Sequence, residues 1–187
     1  MRIIVVGCGR VGATIAADLD ARGHQVTIID LSTGAFERLP SSFGGNAVRG
    51  DGTDEDTLRR AGADGADVFL ALTEGDNRNV MAAQLAAEAL AIGQVVAKVN
   101  DPIRAKAYAE LGVATICRTD LMTHALLSHL GLAVGPAPRV REAAPHPHHE
   151  QSPAAPASTV AGSAPASTVA GSAPASTAAG SAPAGEA

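Results

Sequence analysis

The chain has 187 residues, enough for one domain with its own core plus an appendage, and a formal net charge of −5. That charge excludes a general nucleic-acid binder, which would carry a basic face, but leaves small anionic ligands open because local donors hold them. Two cysteines, Cys8 and Cys117, exclude a disulfide scaffold and a zinc site and fit a reducing compartment.

In chain order, short apolar runs alternate with alanine- and leucine-rich segments of helical period. Residues 3–6, 26–29, 47–49, 68–72, 95–99 and 114–116 read as strands. They are apolar without alternation, as expected of a parallel sheet with both faces covered. Residues 11–22, 32–39, 54–61, 77–91, 103–111 and 120–132 read as helices between and after them. Gly23, Gly62, Gly93 and Gly112 stand where helix C-caps belong, and Pro102 stands at a helix start. Thr53 or Asp54, and Thr73 or Asp76, are candidate N-caps. The expected fold is α/β: a Rossmann-like, doubly wound, six-stranded parallel sheet spanning residues 1–134.

Residues 135–187 change character. Pro136, Ala137 and Pro138 lead into a nine-residue repeat, Ala-Pro-Ala-Ser-Thr-Val-Ala-Gly-Ser, that starts at Ala155, recurs at Ala164 and returns at Ala173 with alanine in place of valine. Such a tract cannot bury enough surface to offset its conformational entropy, so a disordered tail is expected. The first apolar run is too short for a signal peptide, and no later run reaches the roughly 18 residues of a membrane span. A cytoplasmic protein is expected, peripheral to the membrane through a partner.

The chemistry concentrates in Gly7-Cys8-Gly9-Arg10-Val11-Gly12. This GxGxxG run follows a strand, opens a helix and lies in a βαβ unit whose second strand ends in Asp30. Gly7 permits the tight turn, Gly9 lets the backbone approach a pyrophosphate, and Gly12 lets the helix pack closely. N–H groups at the helix start, at the positive end of its dipole, hold phosphate. The Asp30 carboxylate accepts from both ribose hydroxyls and repels a 2′-phosphate, which favours NAD or an adenosine nucleotide over NADP. Arg10 has no place in an ordinary dinucleotide fingerprint and is a candidate to reach a phosphate or a neighbouring subunit's ligand.

Together with Gly50-Asp51-Gly52-Thr53-Asp54, Leu72-Thr73-Glu74-Gly75-Asp76-Asn77-Arg78-Asn79 and Ala97-Lys98-Val99-Asn100-Asp101-Pro102, these residues resemble the regulatory subunits of Trk potassium-uptake systems, the TrkA family, in their RCK-N nucleotide domain. The resemblance covers residues 1 to about 134. It implies that Gly7, Cys8, Gly9, Arg10 and Val11 bind the pyrophosphate and Asp30 the adenosine ribose. Asp51 and Gly52 would border the adenine, and Thr73 and Glu74 the nicotinamide-side or phosphate edge. Asn79 joins this set, with helix capping as the alternative role for Thr73, Asp76 and Asn79. Lys98 stands where the family usually has an arginine that contacts phosphate, keeping the charge but losing the bidentate fork.

The implied ligand is NAD(H) or ATP/ADP. The implied partner is a membrane-embedded potassium transporter subunit, gated by a ligand-dependent change of dimer shape. Longer members follow this domain with a second one, or duplicate the unit, where this chain enters its Pro/Ala/Ser tail. A small NAD-dependent oxidoreductase is the competing class. No Tyr/Lys pair or Ser–His–Asp order stands in residues 1–134 to supply its chemistry, so the switch is preferred over an enzyme. A potassium efflux system is a further alternative.

Several other residues invite a chemical role. Cys8 stands at a helix N-terminus, a position that can lower a thiol's pKa, but a small side chain is all the turn requires and a redox role is not preferred. His146, His148 and His149 read as solvated rather than metal-binding. The last helix carries Leu121, Met122, Leu126, Leu127 and Leu130 with no sheet left to cover, and is expected to meet a second subunit.

Overall fold

The computed structural model describes residues 1–142, so the expectations for 143–187, the repeats and the three tail histidines among them, lie outside the described residues. Six parallel strands, β1 (Arg2–Val6), β2 (Gln25–Asp30), β3 (Asn46–Arg49), β4 (Val68–Ala71), β5 (Gln94–Val99) and β6 (Thr115–Cys117), form one sheet in the order β3-β2-β1-β4-β5-β6. Helices α1 (Arg10–Ala21), α2 (Glu55–Arg60), α3 (Asp76–Glu88), α4 (Pro102–Glu110) and α5 (Arg118–His129) alternate with the strands. This is the doubly wound Rossmann-like sheet that the alternation of runs predicts.

Strand β1 is buried on both faces, which is why it shows no polar alternation. Ile4 and Val6 pack with Leu58 of α2 and with Ala82 and Ala86 of α3. Ile3 and Val5 pack on the other side with Ala13 and Ala16 of α1. The strand order reverses between β1 and β4, so the loops that follow these two strands part in opposite directions. A crevice opens there at the carboxyl ends of the strands, where open α/β sheets bind ligands.

The structure departs from the sequence-based elements in four places. The segment expected as a helix over 32–39 is a 3-10 turn, Thr33–Arg38, because Thr33 and Gly34 favour α-helix poorly and Pro40 prevents continuation. Helix α3 ends at Glu88, and the left-handed residue in the turn that follows is Ala91 (φ 50°), not Gly93. The strain at Ala91 is offset by burying Leu90 and Ile92 on either side of it, with Ile92 N–H closing a bond to Ala86 O at 3.0 Å. Helix α3 is also not capped by Thr73 or Asp76: its N-cap is Gly75, with no side-chain cap. Finally, the fold continues past residue 134, for Arg141 exchanges two backbone hydrogen bonds with Thr115 beside β6 and pairs with Asp120 at 3.0 Å.

Candidate functional site

A cleft of about 800 Å³ lies over the carboxyl ends of β1, β2 and β4. It gathers Gly7, Cys8, Gly9, Arg10, Asp30, Asp51, Gly52, Thr73 and Glu74 from four separate stretches of chain. Arg38 and Arg78 join them on the lining, as does Ser32.

The loop between β1 and α1 is built by close approach. Gly7 has φ +101°, and a Cβ there would lie 2.8 Å from the Thr73 nitrogen. A Cβ on Gly12 would lie 1.9 Å from the Gly7 carbonyl oxygen. Both positions need glycine for the fold itself. Gly9 differs: a Cβ there would meet only Glu74 Oε1, at 3.9 Å, so its missing side chain leaves room in the cleft.

Helix α1 begins at that opening with no side-chain cap and no acid in its first turn. Helix α3 likewise starts without a side-chain cap, whereas Asp54 accepts from Thr57 N–H at the start of α2, and Asp101 from Ile103 and Arg104 N–H at the start of α4. The first-turn donors of α1 have no side-chain acceptor, at the positive end of the helix dipole, an arrangement that can hold an anion.

Asp30 closes β2 with its carboxylate pinned. Oδ2 accepts from Cys8 N–H at 2.7 Å and Oδ1 from Ser32 N–H at 2.9 Å. A carboxylate has about four lone-pair sites, so two remain to accept from a vicinal diol. Asp51 Oδ1 accepts from both the N–H (2.9 Å) and the hydroxyl (2.8 Å) of Thr53, which fixes that acid at the cleft wall. An open phosphate cradle beside a pinned, diol-ready carboxylate fits an adenosine nucleotide.

Four of the residues named from sequence do not line the cleft with their side chains. Val11 is 52% exposed, and Gly12 is enclosed against Gly7. Asn79 is fully buried: its Oδ1 accepts from Thr73 N–H and hydroxyl, and its Nδ2 donates to Thr73 O and Lys98 O. It therefore braces the β4–α3 loop against β5. Lys98 is buried behind Glu74, with its ammonium 3.7 Å from Glu74 Oε1. Asp76 is a second brace, accepting from Asn100 N–H at 2.9 Å and Asn100 Nδ2 at 2.7 Å.

Cys8 does not have the lowered pKa that a helix N-terminus can give. The thiol is completely buried and donates to Ala35 O at 3.3 Å. Burial, with Asp30 adding to it, pushes its pKa up, and the opposing pull of Arg38 is smaller. Arg38 and Arg78 had no periodic signal to mark them. Arg38 reaches the cleft because the 3-10 turn folds back over β2, and Arg78 because it sits in the first turn of α3.

The TrkA-N domain family profile matches residues 3–119. The chain is 47% identical over 116 residues to the Trk system potassium uptake protein TrkA of Streptomyces coelicolor, covering 62% of this chain and 52% of that protein. It is 32% identical over 111 residues to a Trk system potassium uptake protein TrkA homolog of Pyrococcus abyssi, covering 59% and 49%. It thus spans about half the length of the curated relatives it matches. Among solved structures, the Shewanella denitrificans Kef CTD in AMP-bound form superposes with a TM-score of 0.58 at 26% identity, covering 71% of this chain and 84% of that one.

Proposed function

The chain belongs to the TrkA-N domain family, and from that premise we propose that it is a nucleotide-binding regulatory subunit of a potassium transport system. The cleft carries the reading: an uncapped helix start, a glycine that leaves space rather than making a turn, and a carboxylate pinned with two acceptor sites free. The α1 N–H groups and Arg10 would hold the phosphates, and Asp30 the ribose. Asp51 and Gly52 would border the base, and Thr73 and Glu74 the far end. Val11 and Gly12 would contribute through the backbone, and Asn79 and Lys98 from behind by fixing the β4–α3 loop. NAD(H), ATP and ADP all offer the adenosine, diol and phosphate that these groups address, and the AMP of the Kef structure is consistent with them.

Binding would act as a switch. A ligand that contacts two arrangements of a dimer unequally shifts their populations, and a membrane partner can read the difference. Uptake is favoured over efflux by the two Trk relatives. Among the described residues no helix is long and apolar enough to cross a membrane. In the proposed arrangement the membrane contact is made through the partner, with this chain on the cytoplasmic side.

Titration calorimetry with NAD+, NADH, ADP and ATP tests the proposal. Binding is expected for at least one, and Asp30→Ala is expected to weaken it by roughly ten- to a hundredfold, the scale of hydrogen bonds to a charged group. Unchanged affinity would remove Asp30 from its role. Substrate-dependent oxidation of NADH by the protein would overturn the regulatory reading in favour of a small oxidoreductase.

A further inference from the structure

Asn100, the residue that follows β5, stands behind the cleft and is bonded on both sides. Its N–H and Nδ2 donate to Asp76 Oδ1 at 2.9 and 2.7 Å, and Nδ2 also to Glu74 O at 3.3 Å. Its carbonyl accepts from the Thr119 hydroxyl at 2.6 Å and from the Cys117 thiol at 3.7 Å. The Cys117 sulfur is in turn the cap of α5, accepting from Asp120 N–H at 3.5 Å. One residue thus joins the loop between β4 and α3 to the first turn of α5. Among the described residues, Asn100 Oδ1 is the buried side-chain polar atom that no protein group satisfies. An acceptor buried without a donor is uncommon and unfavourable, so the node gains from any small shift that brings a donor to it.

On one side the node meets the cleft. Thr73 and Glu74 line it, and Gly7 packs so closely on this loop that a Cβ there would lie 2.8 Å from the Thr73 nitrogen. A phosphate on the glycine loop would bear on the same stretch of chain, and would meet the Glu74 carboxylate as a like charge. On the other side the node meets a lever. Helix α5 has 12 residues, none of them buried, and is about 18 Å long at the usual rise. Its contacts with the domain gather at its root. Thr119 and Cys117 bond to Asn100, Asp120 pairs with Arg141 at 3.0 Å, and Arg118 Nη1 stands more loosely 3.9 Å from Glu74 Oε2. A small tilt at the root moves the exposed Leu126 and Leu130 near the far end the most.

We propose that Asn100 is a positioning residue, the joint through which occupancy of the cleft sets the tilt of α5. It touches no ligand itself. It couples the two because the cleft loop and the helix root share its hydrogen bonds. The joint rests on the nucleotide reading of the cleft, and names the surface at which that binding is read out.

Amide hydrogen exchange of the full chain, with and without saturating ADP, tests this; ADP is the part that NAD(H), ADP and ATP share. ADP is expected to change exchange at the Leu126 to Leu130 amides by roughly fivefold or more, the low end of coupling between sites. Thr119→Val removes a hydroxyl from an exposed position outside the cleft, and is expected to abolish that response while ADP still binds. Thr119→Ser returns the hydroxyl and is expected to return the response. Asn100→Ala cuts the other side of the joint and should also lose it; Thr119→Val remains informative if that variant fails to fold. Three results overturn the joint: bound ADP with no response in the native chain, a response that survives Thr119→Val, or an α5 that is unprotected in Thr119→Val before ADP is added. Each leaves the cleft standing where Asp30→Ala still weakens ADP. If the native chain binds neither ADP nor NAD+, both readings fall.

Discussion

A methyl group added at Gly12 would collide with the Gly7 carbonyl oxygen at 1.9 Å, and neither atom belongs to a flexible side chain. Helix α1 would have to lift from the loop, so Gly12→Ala is expected to cost about 1–3 kcal/mol or more, as overpacking does. Gly9→Ala meets nothing nearer than 3.9 Å and should melt at the temperature of the native chain. Its methyl group stands instead where a phosphate would approach, so it should lose nucleotide affinity. Thermal denaturation and calorimetry on the pair separate the two. Equal loss of stability in both variants would mean that Gly9 serves the turn and not a ligand. The glycine pattern is fully legible in the sequence, because each position answers to a local backbone requirement. The distinction between fold and ligand space is not, since it depends on how near Thr73 and Glu74 come from more than sixty residues away.

At the scale of elements, the helix starts divide by what satisfies their donors. Helix α2 is closed by Asp54, whose Oδ2 accepts from the N–H of Thr57 at 3.1 Å and from its hydroxyl at 2.5 Å. The Thr57 hydroxyl is the main cause holding the Asp54 carboxyl below its ordinary pKa. A carboxyl depressed in the folded state contributes stability above its unfolded value, near 4, and loses it as pH falls through the lower folded value. Asp54→Ala should therefore lower the melting temperature at pH 7, and the difference should shrink in scans taken progressively below about pH 4. A pH-independent difference would mean that the charge has no part in the cap. Sequence spacing indicates the Asp54 cap because capping is local. It misplaces the cap of α3, because Asn79 and Asp76 are drawn instead to partners on β5 and just after it.

For the whole molecule, α5 is the element that the sheet does not use. None of its residues is buried, and Met122, Leu126 and Leu130 are 59%, 56% and 67% exposed. Their spacing of four places them on one face of the helix. A second copy of the chain is the proposed occupant, since a ligand-dependent change of dimer shape needs such a seam. Sedimentation is expected to show a dimer at micromolar concentration, and Leu126→Glu to shift it to monomer. A native chain that sediments as a monomer would remove this role for α5.

The sequence by itself determined the alternation of strands and helices, the glycine loop, Asp30 at the end of β2 and, to within one residue, the cap on α2. All of these follow from period, from backbone sterics or from hydrogen bonds a few residues long. The tertiary structure alone decided the rest. The sheet order sets Glu74 between Lys98 and Arg118, turns Asn79 inward as a brace, carries Arg38 to the cleft and buries the Cys8 thiol. Those outcomes depend on which strands lie side by side and what they exclude from water, and no run of neighbouring residues encodes that.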